Sequence, residues 1–205
     1  VGKSGDCSLR VLGDGSLWNS PGGGPLVAQS LKEHPVTLPL GSLNGFYASH
    51  DNGAYAFFLS DIPLAALLDG SATDGIFLHV DLHWIPKPGK TPFDITATNA
   101  TIRLVIVANG EIGIYGGAGF ARPQGKPKSE KGSGDAEAIF EWGLSFRQSS
   151  LTLLDHSDGF RDLLSPCEIS GALRATLNPT KSHRMQVAAS QFVTNMLGKT
   201  RFVRR

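Results

Sequence analysis

Thr101-Ile102-Arg103-Leu104-Val105-Ile106-Val107-Ala108-Asn109-Gly110-Glu111-Ile112-Gly113-Ile114-Tyr115-Gly116 is the stretch whose reading decides the fold. Asn109-Gly110 supplies the two positive φ values that a type I′ turn requires, and that turn matches the twist of antiparallel strands. A two-residue loop sets Val107 opposite Ile112 and Val105 opposite Ile114. The other face then carries Ile102, Leu104 and Ile106 opposite Gly113 and Tyr115. Both faces are largely apolar, so the hairpin belongs inside a sandwich or beneath a helix.

The same period of two recurs on either side. Asn52-Gly53 separates Gly45–Asp51 from Ala54–Ser60, a second hairpin. In Ile76–Ile85, Leu78, Val80, Leu82 and Trp84 alternate with Phe77, His79, Asp81, His83 and Ile85. In Ala138–Arg147, Phe140, Trp142, Leu144 and Phe146 share one face. Val36–Leu40, Phe93–Ala97, Leu151–Leu154 and Glu168–Leu177 are further strands, and Pro39 confines the first of these to an edge. So many alternating segments predict a mainly β chain, an antiparallel β-sandwich or flattened barrel with two short helices and a C-terminal helix. One short helix lies over Leu64–Asp69, between an early Pro63 and a terminal Gly70. Another is a single turn over Asp158–Leu164, and Pro25 is placed in the first turn of a short helix through Glu33 that Pro35 ends. Over Ser182–Leu197 the period changes to three and four, with Gly198 as the stop. The Gly-rich run Ile112–Phe120 lacks dinucleotide-loop spacing and reads as close strand packing or a bulge.

A chain of 205 residues with 40% hydrophobic residues can bury a real core, which excludes global disorder. Residues 1–24 read as a flexible leader, 25–198 as a single β-rich domain and 199–205 as a basic tail. No run approaches the ~18–20 apolar residues of a membrane helix, and Val1–Asp6 is polar with no signal peptide in it. Formal net charge is +1. Four basic residues lie in Arg122–Asp135 and four in Lys199–Arg205, so the rest of the chain is acidic. The tail residues Lys199, Arg201, Arg204 and Arg205 are the candidate contacts for a membrane or another anion. Nucleic acid is disfavoured, because the basic segments hold only Phe202 as an aromatic.

Cys7 and Cys167 are the two cysteines. Paired as a disulfide they would close a loop of ~160 residues, worth ~5 kcal/mol in the chain-entropy model; otherwise they are two free thiols. Low charge and 25 glycines fit an extracytoplasmic β-protein, periplasmic, envelope or secreted. Asn99-Ala100-Thr101 matches a glycosylation acceptor but sits in a strand-like run.

His79, Asp81 and His83 form the sharpest chemical pattern. On a strand they project from one face at ~7 Å intervals, so two could reach one divalent ion and a third ligand would come from elsewhere. Asp155-His156-Ser157-Asp158 holds the letters of a serine triad, but triad members meet through folding and no Gly-x-Ser-x-Gly elbow is present. No catalytic residue is assigned. The leading expectation is a non-catalytic extracytoplasmic binding or structural module with no cofactor, its partner a protein or a small apolar ligand met at an aromatic face that includes Tyr47 and Tyr55. The alternatives are a metal-dependent β-barrel enzyme using His79, Asp81 and His83, and a membrane-peripheral envelope protein using the C-terminal helix and basic tail.

Overall fold

The computed structural model describes residues 24–50, 53–87, 97–127 and 141–199. Ten strands and two helices occur among these: β1 Val27–Ser30, β2 Thr37–Pro39, β3 Asn44–Ser49, β4 Tyr55–Ser60, α1 Leu64–Asp69, β5 Gly75–Leu82, β6 Ala100–Ala108, β7 Glu111–Gly119, β8 Ala121–Gln124, β9 Glu141–His156, β10 Cys167–Leu177 and α2 Pro179–Leu197. The chain is mainly β, as its alternation predicts.

Strands β3, β4, β5, β6, β7, β9 and β10 follow one another around a ring that the β9–β10 pairing closes. Neighbours in this ring run antiparallel except at one seam. There Thr176 and Leu177 of β10 pair in parallel with Phe46 and Tyr47 of β3. The parallel seam follows from the count, because an odd ring cannot alternate direction all the way round. β1 and β2 extend from the outer edge of β10, with β2 terminal in the strand order, and β8 pairs with the first half of β9.

The hairpin at Asn109-Gly110 has the expected register, with Val107 opposite Ile112 and Val105 opposite Ile114. Asn109 and Gly110 have φ of 52° and 76°, as a type I′ turn requires. The first hairpin differs. Ser49 opposes Tyr55, and His50 N–H donates to Ala54 O, so three residues rather than two form the loop. The predicted strand at 138–147, from residue 141 onward, and the one at 151–154 are parts of one 16-residue strand, β9; residues 138–140 lie outside the described residues. Phe93 and its neighbours through 96 lie outside the described residues, as does Phe140.

The short segment after Pro25 is a strand, not a helix. Leu26, Ala28 and Ser30 are buried at a period of two, and β1 pairs with β10. The expected helical turn at Asp158–Leu164 is an irregular turn. Its geometry is set by Asp162, whose Oδ1 accepts the N–H groups of Leu164 (3.0 Å) and Ser165 (2.9 Å). Side-chain capture of backbone donors replaces the helical ladder there. The C-terminal helix starts three residues earlier than its apolar period suggests. Asn178 Oδ1 accepts Lys181 N–H (2.9 Å) and Pro179 occupies the first turn. Gly198 closes the helix at φ 65°.

Two apolar clusters result. The ring encloses Tyr47, Phe57, Leu78, Val80, Ile102, Leu104, Tyr115, Trp142, Leu144 and Phe146, with others. On the outer face, α2 lays Met185, Ala188, Ala189, Phe192 and Val193 over Phe58, Phe77, Val105, Val107, Ile112 and Ile114. The doubly apolar β6–β7 hairpin is therefore covered by a helix. β7 is glycine-rich because β9 approaches it closely: a Cβ at Gly117 would collide with Ser150 O, and one at Gly119 with the Ser149 side chain.

Candidate functional site

The outer face of β5 carries Phe77, His79 and Asp81. Register places His79 between Phe58 of β4 and Arg103 of β6, and Arg103 beside Gly116 of β7. The next row is Ala56, Asp81, Thr101 and Ala118. Helix α2 covers the apolar part of this face, and its flank meets the polar part at Gln186, whose Nε2 lies 3.4 Å from His79 Nε2. Ser190 and Thr194 follow Gln186 at four-residue intervals and share that flank.

His79 is 5% exposed, although its strand face points away from the barrel interior. The cause is α2. The ring nitrogen Nε2 also lies 3.5 Å from Asp81 Oδ1, and the Asp81 side chain is 38% exposed. One nitrogen thus faces an amide donor and a carboxylate acceptor, and its tautomer decides which it engages. Burial lowers the His79 pKa below its ordinary 6.5; the Asp81 carboxylate opposes that shift, while Arg103 and His50 reinforce it. His79 is therefore neutral near pH 7.

Arg103 is half-buried and makes no hydrogen bond or ion pair among the described residues. Its guanidinium lies over Gly116, where an added Cβ would stand 2.8 Å from Nη1. Leu154, half exposed, borders the same spot.

His79 and Asp81 are thus brought together. His83 is not part of the pair: it lies beyond the end of β5, exposed, with Nε2 2.8 Å from Thr101 Oγ1. No three His, Cys, Asp or Glu side chains among the described residues are grouped so that they could hold a metal ion. Tyr47 is fully buried inside the ring, its centroid 5.4 Å from Phe57 and 5.5 Å from Trp142; Tyr55 is half-buried, with its ring 4.9 Å from Trp142, edge-on. Both belong to interior packing. Cys7 lies outside the described residues. Cys167 is a buried free thiol, its pKa pushed up to about 11 by burial and by the Asp162 and Glu168 carboxylates. It stays protonated at neutral pH and is a poor nucleophile. Lys199 pairs with Asp155 at 3.1 Å. Arg201, Arg204 and Arg205 lie outside the described residues.

Other polar side chains serve the scaffold. Asn99 is 1% exposed; its amide donates to Trp84 O and Ala121 O, and its Oδ1 accepts Ala121 N–H at 2.7 Å. Both ends of the side chain are engaged, so it is not available as a glycosylation acceptor in the folded chain. Ser157 donates to Glu111 and accepts from Ile112 N–H, while His156 Nδ1 meets Ser157 O rather than the hydroxyl. That arrangement is not a triad. Tyr115 donates to Asp162 Oδ1 at 2.8 Å. Burial would raise the Asp162 carboxyl, but hydrogen bonds from Ser165, Tyr115 and Leu164 outweigh it, and its pKa falls below the ordinary 3.8.

No family model matches the chain, and no curated protein or solved structure matches it either. Among the described residues no helix is long and apolar enough to cross a membrane.

Sequence reasoning missed Arg103 and Gln186. Arg103 was legible as the one charge inside Ile102–Val107. Gln186 carried no signal, because only the docking of α2 gives it a partner.

Proposed function

We propose that the chain is a non-catalytic binding module, working outside the cytoplasm, that meets its ligand on the outer face of the barrel beside α2. The observation that carries this reading is the contrast in polar groups. Asn99, Asp162, Ser157 and Glu111 are engaged in holding loops and strands together. Beside α2, by contrast, Arg103 has no hydrogen-bond or ion-pair partner among the described residues, and the Asp81 side chain is 38% exposed. The extracytoplasmic setting rests on composition alone.

The ligand contact is assigned to this strip rather than to Tyr47 and Tyr55, whose rings pack against Trp142. Use of α2 on a lipid surface would require Phe192 and Val193 to leave the sheet, where both are buried. Metal-dependent chemistry would need a third ligand beside His79 and Asp81.

Ligand-observed NMR with a fragment library tests the reading. Ala118 is exposed in the strip, so Ala118→Trp obstructs it without disturbing the core. Fragments that bind the wild-type chain are expected to lose binding to Ala118→Trp and to keep it with Tyr55→Ala. The opposite pattern would move the site to the aromatic cluster. A library with no hits would leave a structural module.

A further inference from the structure

We infer that Arg103 anchors an oxyanion group, carboxylate or phosphate, of the ligand that the strip beside α2 binds; this rests on the binding-module reading above. Arg103 carries a charge at a half-buried position. Removing a charge from water costs free energy unless a counter-charge or hydrogen-bond acceptors replace the water. Among the described residues Arg103 has neither. Asp81, the carboxylate one row away on β5, instead lies 3.5 Å from His79.

The guanidinium extends the other way, over Gly116 of β7. Glycine at 116 leaves room for that approach; its backbone is not left-handed. A Cβ at 116 would stand against Leu154 Cδ1 and 2.8 Å from Arg103 Nη1, so a side chain there would push on both side-chain ends. The guanidinium is a planar fork whose Nη1 lies over Gly116 beside Leu154, with no acceptor from the described residues on it. A fork of that shape takes two oxygens of a carboxylate or phosphate in parallel hydrogen bonds. The Gln186 amide borders the strip and adds a polar group without adding charge. Asp81 makes the β5 side unfavourable for a second anionic group, so the anion sits at the β7 end of the strip. The other end of the ligand, toward Asp81, is a hydrogen-bond donor such as a hydroxyl or ammonium.

The test is NMR titration of isotope-labelled full-length protein with sodium phosphate and, separately, sodium acetate, against sodium chloride at matched ionic strength. The Arg103 Nε–H resonance and the backbone amides of Gly116 and Ala118 report on the site. A saturable shift with one or both oxyanions, absent with chloride, is expected. Acetate alone would assign carboxylates and phosphate alone would assign phosphates. Affinity read from the amides is expected to fall about tenfold or more in Arg103→Gln, the loss of a charge-assisted pair. Gly116→Ala, whose methyl would push on Leu154 Cδ1 and Arg103 Nη1, should weaken binding by less than Arg103→Gln does while keeping the charge. A linear response equal to that of chloride, or an affinity unchanged in Arg103→Gln, overturns the inference. Fragments that bind the strip but ignore both substitutions would overturn it too, and would leave the binding-module reading intact.

Discussion

The two faces of β5 differ more than their sequence alternation suggests. Inward, Leu78, Val80 and Leu82 are fully buried in a ring core built around Tyr47, Phe57 and Trp142. Outward, Phe77 joins a second core under α2, His79 is buried at the margin of that core, and Asp81 reaches solvent. The inner core is bounded by hydrogen-bonded strands on every side, so it can neither collapse nor open cheaply. The outer core is closed by one helix on one sheet, and a helix can shift as a unit. Burial of His79 is therefore conditional on helix docking, whereas burial of Leu78 follows from closure of the ring.

Large-to-small substitution should expose this difference most strongly. Trp142→Ala is expected to cost ~5 kcal/mol by urea denaturation, the upper end of the range, because surrounding strands hold the cavity open. Phe192→Ala, under α2, is expected near ~3 kcal/mol because the helix can settle onto the sheet. Equal losses would show that the outer core is as rigid as the ring, and the comparison would fail. Asn99→Asp should cost ~2 kcal/mol, since a carboxylate cannot donate to Trp84 O and Ala121 O. Asn178→Ala removes the cap of α2 and is expected to cost ~1 kcal/mol. Its sharper signature is faster amide hydrogen exchange in α2 with the ring strands unchanged; uniform acceleration would mean that helix and ring unfold together.

A smaller, pH-dependent effect separates the two regions by charge. The folded pKa of His79 lies below 6.5, so its unfolded form binds a proton more readily. Its contribution to stability is complete above pH 6.5 and is lost as pH falls through that value toward the folded pKa. Asp162 behaves in the same direction at lower pH: its contribution is present above 3.8 and disappears on further acidification. Stability measured from pH 7.5 to 5 should therefore decline, and His79→Gln should flatten that decline. A slope unaltered by His79→Gln would assign it to other histidines.

Much of the scaffold was legible because its determinants are local. Asn109-Gly110 specifies its own turn, and the β6–β7 register follows from it. At the first hairpin the same dipeptide misled by one residue. The His50 to Ala54 hydrogen bond, not the Asn-Gly pair alone, sets the loop length. Leu26, Ala28 and Ser30 show a period of two that a leading proline and a short segment obscured. Asn178-Pro179 announced the true start of α2 more clearly than the apolar period did.

Alternation along single strands determined that this chain is mainly β, that the β6–β7 hairpin needs cover on both faces, and that a helix ends the described fold. Those properties depend on residues within a few positions of one another. Closure into an odd ring, the parallel seam between β3 and β10, and the burial of His79 under α2 were decided only by tertiary structure. Each joins residues far apart in the chain, such as Tyr47 with Leu177 and His79 with Gln186. A period of two says that His79 and Arg103 point outward from their strands; it cannot say whether water or a helix lies there.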